Sequence, residues 1–268
     1  MTEIPVDPSA LYISHGGGPL PVLGDEAHTE MVEHLKAIAA RIRKPAAVVV
    51  VSAHWEAPVA TITHGATPPL IYDYYGFPQP AYDIQYPAPG SPALAEVVYS
   101  KLTTYGIEAK LDDARGFDHG LYVPLLLMYP AADIPCIQLS LVKSLDAHEH
   151  IRIGEALAAL AGENVLLLGS GFSFHNMRAF ATPDTPELQS RNEAFEAWLI
   201  ETCSSQTLDE SARAERLVAW DNAPFARYCH PREEHLLPLH VCYGATRRPC
   251  KTYLEMSIMK KRASFYFW

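Results

Sequence analysis

The chain has 268 residues, 49% of them hydrophobic and 19% charged, with a formal net charge of −10. That is the composition of a globular protein with enough chain for a sizeable core, and the acidic balance argues against nucleic acid or an anionic membrane surface as a partner. No apolar run approaches the roughly 20 residues needed to cross a bilayer.

The first eight residues lack the basic-then-apolar layout of a secretory signal. Leu11–Ser14 reads as a short apolar strand running into His15-Gly16-Gly17-Gly18-Pro19, a loop whose glycines let backbone approach a ligand closely. Asp25 to Ile42 carries Met31, Leu35, Ile38, Ala39 and Ile42 at helical spacing and closes on Arg41, Arg43 and Lys44, charges suited to a helix C-terminus. Pro45 stops that helix. Ala46-Ala47-Val48-Val49-Val50-Val51-Ser52-Ala53-His54-Trp55 follows, a β-branched run that predicts a strand buried on both faces. Strand, helix, strand favours a parallel arrangement, which puts His15 and His54 at one edge of the sheet, each at a strand's carboxyl end. Trp55 reads as packing behind His54.

Val59–Thr63 alternates as a strand. The long segment from Pro68 to Gly90 is rich in aromatics and proline, and suits a wall or lid over a planar apolar ligand; Tyr72, Tyr75 and Phe77 are its candidate ring-packing residues, against the plain alternative of a surface loop pinned by tyrosines. Ser91 to Tyr105 predicts a helix with Ser91 as N-cap and Pro92 in the first turn. Ile107–Leu111 is a strand, Gly116-Phe117-Asp118-His119-Gly120 opens an apolar helix over Leu121–Met128, and Ile134–Leu141 is another buried strand. A helix over Ala147–Leu160 follows, with His148 and His150 read as solvated near its start. Val165–Leu168 repeats the buried-strand pattern and leads through a glycine-rich stretch to His175-Asn176. Pro186–Thr202 and Leu208–Trp220 are helical by spacing. His230 to Gly244 reads as one helix with Pro231 at its start, so Glu234 and His235 fall near its first turn; Thr252–Met259 and Ala263–Trp268 predict two closing strands. The five cysteines, odd in number and without a CxxC pair, read as free thiols, for which the cytoplasm is the default compartment. With no repeat, low-complexity tract or linker, residues 1–268 make one domain: α/β, a mostly buried central mixed sheet flanked by helices on both faces.

Histidine carries the chemical signal. His15, His54, His175 and His235 come from four separate elements, and His119 opens a helix. There is no HExxH. A lone buried histidine is more often a satisfied core residue than a ligand, but four at expected strand ends would each need a separate partner. Neutral imidazoles in such a set suit Zn(II) or Fe(II) at an open site.

The motifs SHGGGP, VVVSAHWE, IYDYYGFP, YPAPGSPALA, GFDHG, LMYPAADIPCIQLSL, LLLGSGFSFHN and HPREEHLLPLHV, in this order from about His15 to Gly244, resemble the class III extradiol ring-cleavage dioxygenases of the LigB superfamily, in particular the 4,5-DOPA dioxygenase-like branch. The resemblance implies one α/β domain and an enzyme that uses O₂ to open a catechol ring beside its hydroxyls, giving a semialdehyde. It places metal ligands at His15, His54 and His235, with Glu234 as the fallback because more distant relatives use a glutamate. It makes His175 an acid/base group or additional zinc ligand, and turns His119 to the substrate. Fe(II) is the implied cofactor, with Zn(II) able to occupy the same ligands; the partners are a small catechol and O₂, and a homo-oligomer is compatible with the reading. Two departures bear on substrate choice: His15-Gly16-Gly17-Gly18-Pro19 stands where relatives commonly have HGSP, and Met177 where leucine often follows the HN pair. The competing readings are a zinc hydrolase built on the same histidines and a non-enzymatic binding protein on the same fold.

Overall fold

The computed structural model describes residues 4–268. Its centre is one eight-stranded mixed sheet in the order β4-β3-β5-β2-β6-β1-β8-β7. The strands are β1 (Ala10–Ser14), β2 (Ala47–Ala57), β3 (Ala60–Thr63), β4 (Ala109–Asp112), β5 (Cys136–Val142), β6 (Val165–Gly171), β7 (Thr252–Ile258) and β8 (Lys261–Phe267). β5, β2, β6 and β1 run parallel, whereas β8 pairs antiparallel with β1 and forms a hairpin with β7.

The valine run explains the layering. Val48 to Val51 are all fully buried, and they divide by parity: Val49 and Val51 join one apolar cluster, Val48 and Val50 the other. A strand that alternates its side chains between two dry faces needs helices on both. On one face these are α1 (Thr29–Arg41) and α3 (His119–Met128); on the other lie α2 (Pro92–Thr104), α4 (Ala147–Leu157), α6 (Pro186–Ser204), α7 (Glu210–Val218) and α9 (Leu237–Gly244), with the single turns α5 (Met177–Phe180) and α8 (Ala226–Cys229) between them. α4 and α9 touch backbone to backbone, since a Cβ on Gly244 would lie 2.0 Å from the Ile151 carbonyl oxygen. Ser91 caps α2 through the Leu94 N–H, with Pro92 in the first turn, as its sequence predicts. Among the described residues, no helix is long and apolar enough to cross a membrane.

Three local readings are corrected. The helix expected from Pro231 begins only at Leu237. Continued helix back to Pro231 would need an N–H at position 238, which is proline, and would press its ring on the residue 234 carbonyl; the chain instead turns through Glu234-His235-Leu236. β2 does not finish at His54 but continues to Ala57, through an irregularity in which Ser52 pairs with Ser140 and Glu56 already with Leu141, so that Ala53, His54 and Trp55 have no partners on β5. His150 is not solvated: it is fully buried, accepts the Val142 N–H at Nε2 and meets the Asp146 carbonyl through Nδ1, while His148 is exposed.

Candidate metal centre

The parallel strands deliver His15 and His54 to the same sheet edge. His15 follows β1 directly, its N–H bonded to the Gly171 carbonyl at the end of β6. The loop after it rests on a buried histidine: Gly17 N–H donates to His28 Nε2 at 3.0 Å, and His28 Nδ1 lies 2.7 Å from Asp25. Gly16 has φ +82°, and a Cβ there would lie 2.7 Å from the His28 ring, so position 16 needs glycine for both conformation and room. The His235 turn is held by its own carbonyl, which accepts from the Tyr12 hydroxyl and the Phe172 N–H. A Cβ on Gly171 would stand 2.1 Å from that carbonyl oxygen, so the turn sits directly on the end of β6.

His54 Nε2 is 3.0 Å from His15 Nε2 and 3.3 Å from His235 Nε2. Behind the cluster, the opposite ring nitrogens meet oxygen. His15 Nδ1 faces Ser170 Oγ at 3.0 Å; because that hydroxyl donates onward to the Gly120 carbonyl, His15 must be the donor to it. His235 Nδ1 lies 2.9 Å and His175 Nδ1 3.2 Å from the same Glu234 oxygen, with the two rings stacked at 3.4 Å. His119 presents both its backbone N–H and Nδ1 to Asp73 Oδ1, at 3.1 and 2.8 Å, and the other Asp73 oxygen lies 3.7 Å from His54 Nδ1. Asp118, capping α3, is fixed by Ser52 and Arg115.

Burial holds three of these imidazoles, His15, His54 and His235, neutral. His15 and His54 are pushed well below their ordinary value, chiefly by desolvation and then by the neighbouring histidines, and desolvation with His175 takes His235 down to about 3. Burial alone would raise the Glu234 carboxyl, but the His175 and His235 hydrogen bonds outweigh it and keep the group ionised; Asp73 is likewise lowered, desolvation being outweighed by His119.

The donor set fits a divalent metal. One proton on His54 Nε2 can serve only one of its two neighbours, whereas a cation serves all three lone pairs. Two nitrogens bound to one metal at about 2.1 Å stand about 3.0–3.4 Å apart in octahedral or tetrahedral angles, the spacing found here. Among the described residues, the potential ligand clusters are His15, His54 and His119 on one side and His175, Glu234 and His235 on the other. Glu234, the fallback ligand, turns Oε1 to the Nδ1 side of His175 and His235.

All five histidines line one cavity of about 430 Å³, walled by Tyr74, Phe77, Phe172, Phe180, Leu20 and Met259. Phe77 packs edge-on against Tyr74. Tyr75 lines the same cavity while remaining 92% exposed, which puts it at the mouth. Tyr72 does not line it: its hydroxyl donates to the Ile84 carbonyl and its ring backs Tyr74. Trp55 is buried with the Arg115 guanidinium 4.5 Å over its ring. Asp73, Tyr74, Ser170 and His28 escape sequence reasoning. The available signal for Asp73 was a carboxylate set between tyrosines, in a segment conspicuous for its rings, but Asp83 shares that setting.

The family model described as the catalytic LigB subunit of aromatic ring-opening dioxygenase matches residues 9–263. The chain is similar to the 4,5-DOPA dioxygenase extradiol of Beta vulgaris, 37% identical with 91% of this chain and 88% of that one covered, and to that of Escherichia coli K12, 39% identical over 88% and 84%. It is also 37% identical to the dioxygenase tasH of Hapsidospora irregularis, over 96% and 84% of the two chains. A crystal structure of an uncharacterized Escherichia coli K12 protein superposes with a TM-score of 0.74 at 32% identity, covering 97% of this chain and 99% of the other.

Proposed function

The chain belongs to the LigB family of aromatic ring-opening dioxygenases and is a non-haem extradiol ring-cleaving dioxygenase; from that premise we propose that it opens a catechol-type ring to a semialdehyde with Fe(II) held by His15, His54 and His235. The observation that carries the ligand assignment is the approach of three imidazole Nε2 atoms to 3.0 and 3.3 Å, with oxygen behind His15 and His235 at hydrogen-bond distance. Such backing fixes the tautomer and aims the lone pair, as it does in metal sites generally. Bound there, Fe(II) supplies Lewis acidity and open positions that bring the catechol oxygens and O₂ together.

The remaining work falls to the chain's own groups. His175, oriented through Nδ1 by Glu234, takes a proton from a catechol hydroxyl at its other nitrogen and returns it later; such a positioned base is worth typically 10²–10⁴-fold. His119 keeps Nδ1 on Asp73 and offers its other nitrogen to the substrate. Tyr74 and Phe77 form the apolar wall against which the ring lies, and with Phe172 and Phe180 they keep water out of the cavity. Tyr75 packs the ring from the mouth, whereas Tyr72 acts only as backing for Tyr74. The five cysteines, all free and buried, support a reducing, cytoplasmic setting.

The test is anaerobic reconstitution with Fe(II), then O₂ uptake across a panel of catechols with detection of a yellow semialdehyde. One O₂ consumed per ring opened, in the Fe(II)-loaded protein and not in the Zn(II)-loaded one, is the expected result. Equal turnover by metal-stripped protein would refute the assignment.

A further inference from the structure

Among the described residues, the cavity that holds the five histidines is lined by no lysine or arginine and by one carboxylate, Asp73. A second cavity, of about 590 Å³, adjoins it and shares two residues with it, His175 and Met177. Met177 is 67% exposed and stands between the two as an apolar post. Three arginines line the second cavity, and they are not equivalent. Arg232 is committed to Glu56 through two contacts at 2.5 and 2.7 Å, and Arg227 to Glu233 at 2.8 Å while lying over the Trp220 ring. Arg178 has no ion-pair partner among the described residues.

We propose that Arg178 is a specificity-determining residue: it receives an anionic substituent, of the carboxylate class, carried on a short chain by the aromatic substrate. The inference rests on the ring lying in the histidine cavity, as read above. A ring held beside His175 has an uncommitted cation one residue beyond Met177, in a cavity with room for a side chain. An arginine fork suits a carboxylate because it can donate two parallel hydrogen bonds. The competing direction is less favourable. The cavity on the other side, reached past Leu20, Phe180 and Met259, sets two lysines against two carboxylates, Lys261 being committed to Asp184 at 2.7 Å with Lys260 and Asp25 as the other two charges. The cavity of Arg178, among the described residues, instead sets three arginines against the one lining carboxylate of Glu234, which is already engaged by His175 and His235.

The experiment compares 3-(3,4-dihydroxyphenyl)propanoate with its neutral amide, using the full chain. Equilibrium binding is measured anaerobically by calorimetry, and steady-state O₂ uptake is measured on the Fe(II)-loaded protein. The wild type is expected to favour the acid about tenfold or more in Kd and KM, on the strength of a hydrogen bond to a charged group. Arg178→Gln should erase that preference, by raising Kd and KM for the acid to the values of the amide, and Arg178→Lys should restore part of it. An acid preference that survives Arg178→Gln, or that disappears instead in Lys260→Gln, overturns the proposal, as does equal binding of acid and amide by the wild type. The two readings fail separately: ring opening of both compounds without an Arg178 effect leaves the dioxygenase chemistry standing, whereas an Arg178-dependent binding preference without ring opening supports the subsite and refutes the catechol assignment.

Discussion

Asp73 offers the sharpest perturbation of the centre, because one carboxylate backs two histidines from a loop remote in sequence from both. Asp73→Asn keeps the shape of the side chain and one acceptor oxygen but removes the charge. The 2.8 Å contact with His119 Nδ1 then changes from a hydrogen bond to an ionised acceptor, worth about 1.5–3 kcal/mol, to a neutral one, worth about 0.5–1.5 kcal/mol. The difference, about 1–1.5 kcal/mol, is roughly a five- to tenfold effect if it is felt wholly in the transition state. Loss of the 3.7 Å electrostatic contact to His54 adds a smaller share and falls on metal affinity. The assay is kcat from O₂ uptake at saturating Fe(II), with Fe(II) affinity measured separately by competition with a chelator. A drop in kcat of about five- to tenfold, with a smaller loss of affinity, is expected. The sign in pH follows from Asp73 being lowered in the fold: its contribution is present above the ordinary carboxylate range and is lost as pH falls through its folded value, so the variant should lose less stability on acidification. Unchanged kcat in the asparagine variant, with His119 still required, would refute the argument that Asp73 orients that ring.

Other outcomes follow from the same geometry. His54→Ala is expected to abolish activity with metal binding, since His54 Nε2 bridges the two other nitrogens; full turnover by the metal-depleted variant would sink the ligand assignment. His175→Gln should keep its Fe(II) by elemental analysis and lose about 10²-fold or more in kcat, the size of a general-base contribution. Gly171→Ala places a methyl 2.1 Å from the His235 carbonyl oxygen; a loss of about 1–3 kcal/mol in denaturant unfolding together with weakened metal binding is expected, and wild-type behaviour in both would contradict the close approach. His230 is fully buried, with Nε2 on the Ser173 carbonyl, no partner for Nδ1 among the described residues, and burial depressing it to about 3. Because the unfolded chain takes up a proton first, stability should fall from about pH 6.5 toward about pH 3, by up to about 1.4 kcal/mol per pH unit from this group, and His230→Gln should flatten that part of the Tm profile.

The elements were legible where one physical signal dominated. The valine run could only be a strand dry on both faces, and the strand-helix-strand order was enough to bring His15 and His54 to one edge. Legibility failed where a neighbour distant in sequence decided the outcome. His150 looks like a polar residue at a helix start, and only the Val142 N–H makes it a core group. Asp73 finds its partner 46 residues away in His119, which no local pattern announces. The aromatic loop was recognisable by composition, but which rings face inward depends on its turns: Tyr74 and Phe77 wall the cavity, and Tyr72 stands behind them. The start of α9 was readable in principle, since Pro238 carries more information about the helix boundary than Pro231.

The single Glu234 oxygen that receives both His175 and His235 makes the two histidines thermodynamically coupled rather than independent parts. Altering either ring frees the carboxylate to close on the other, so substitutions at the two positions should not add, and a double-mutant cycle should show a coupling energy within the range of about 0.5–3 kcal/mol seen for residues that share a partner. It follows that variants selected for tighter or different metal binding at His235 will drift in the rate of proton handling at His175, and that replacing the cation and retuning the acid–base step cannot be approached as separate engineering problems in this protein.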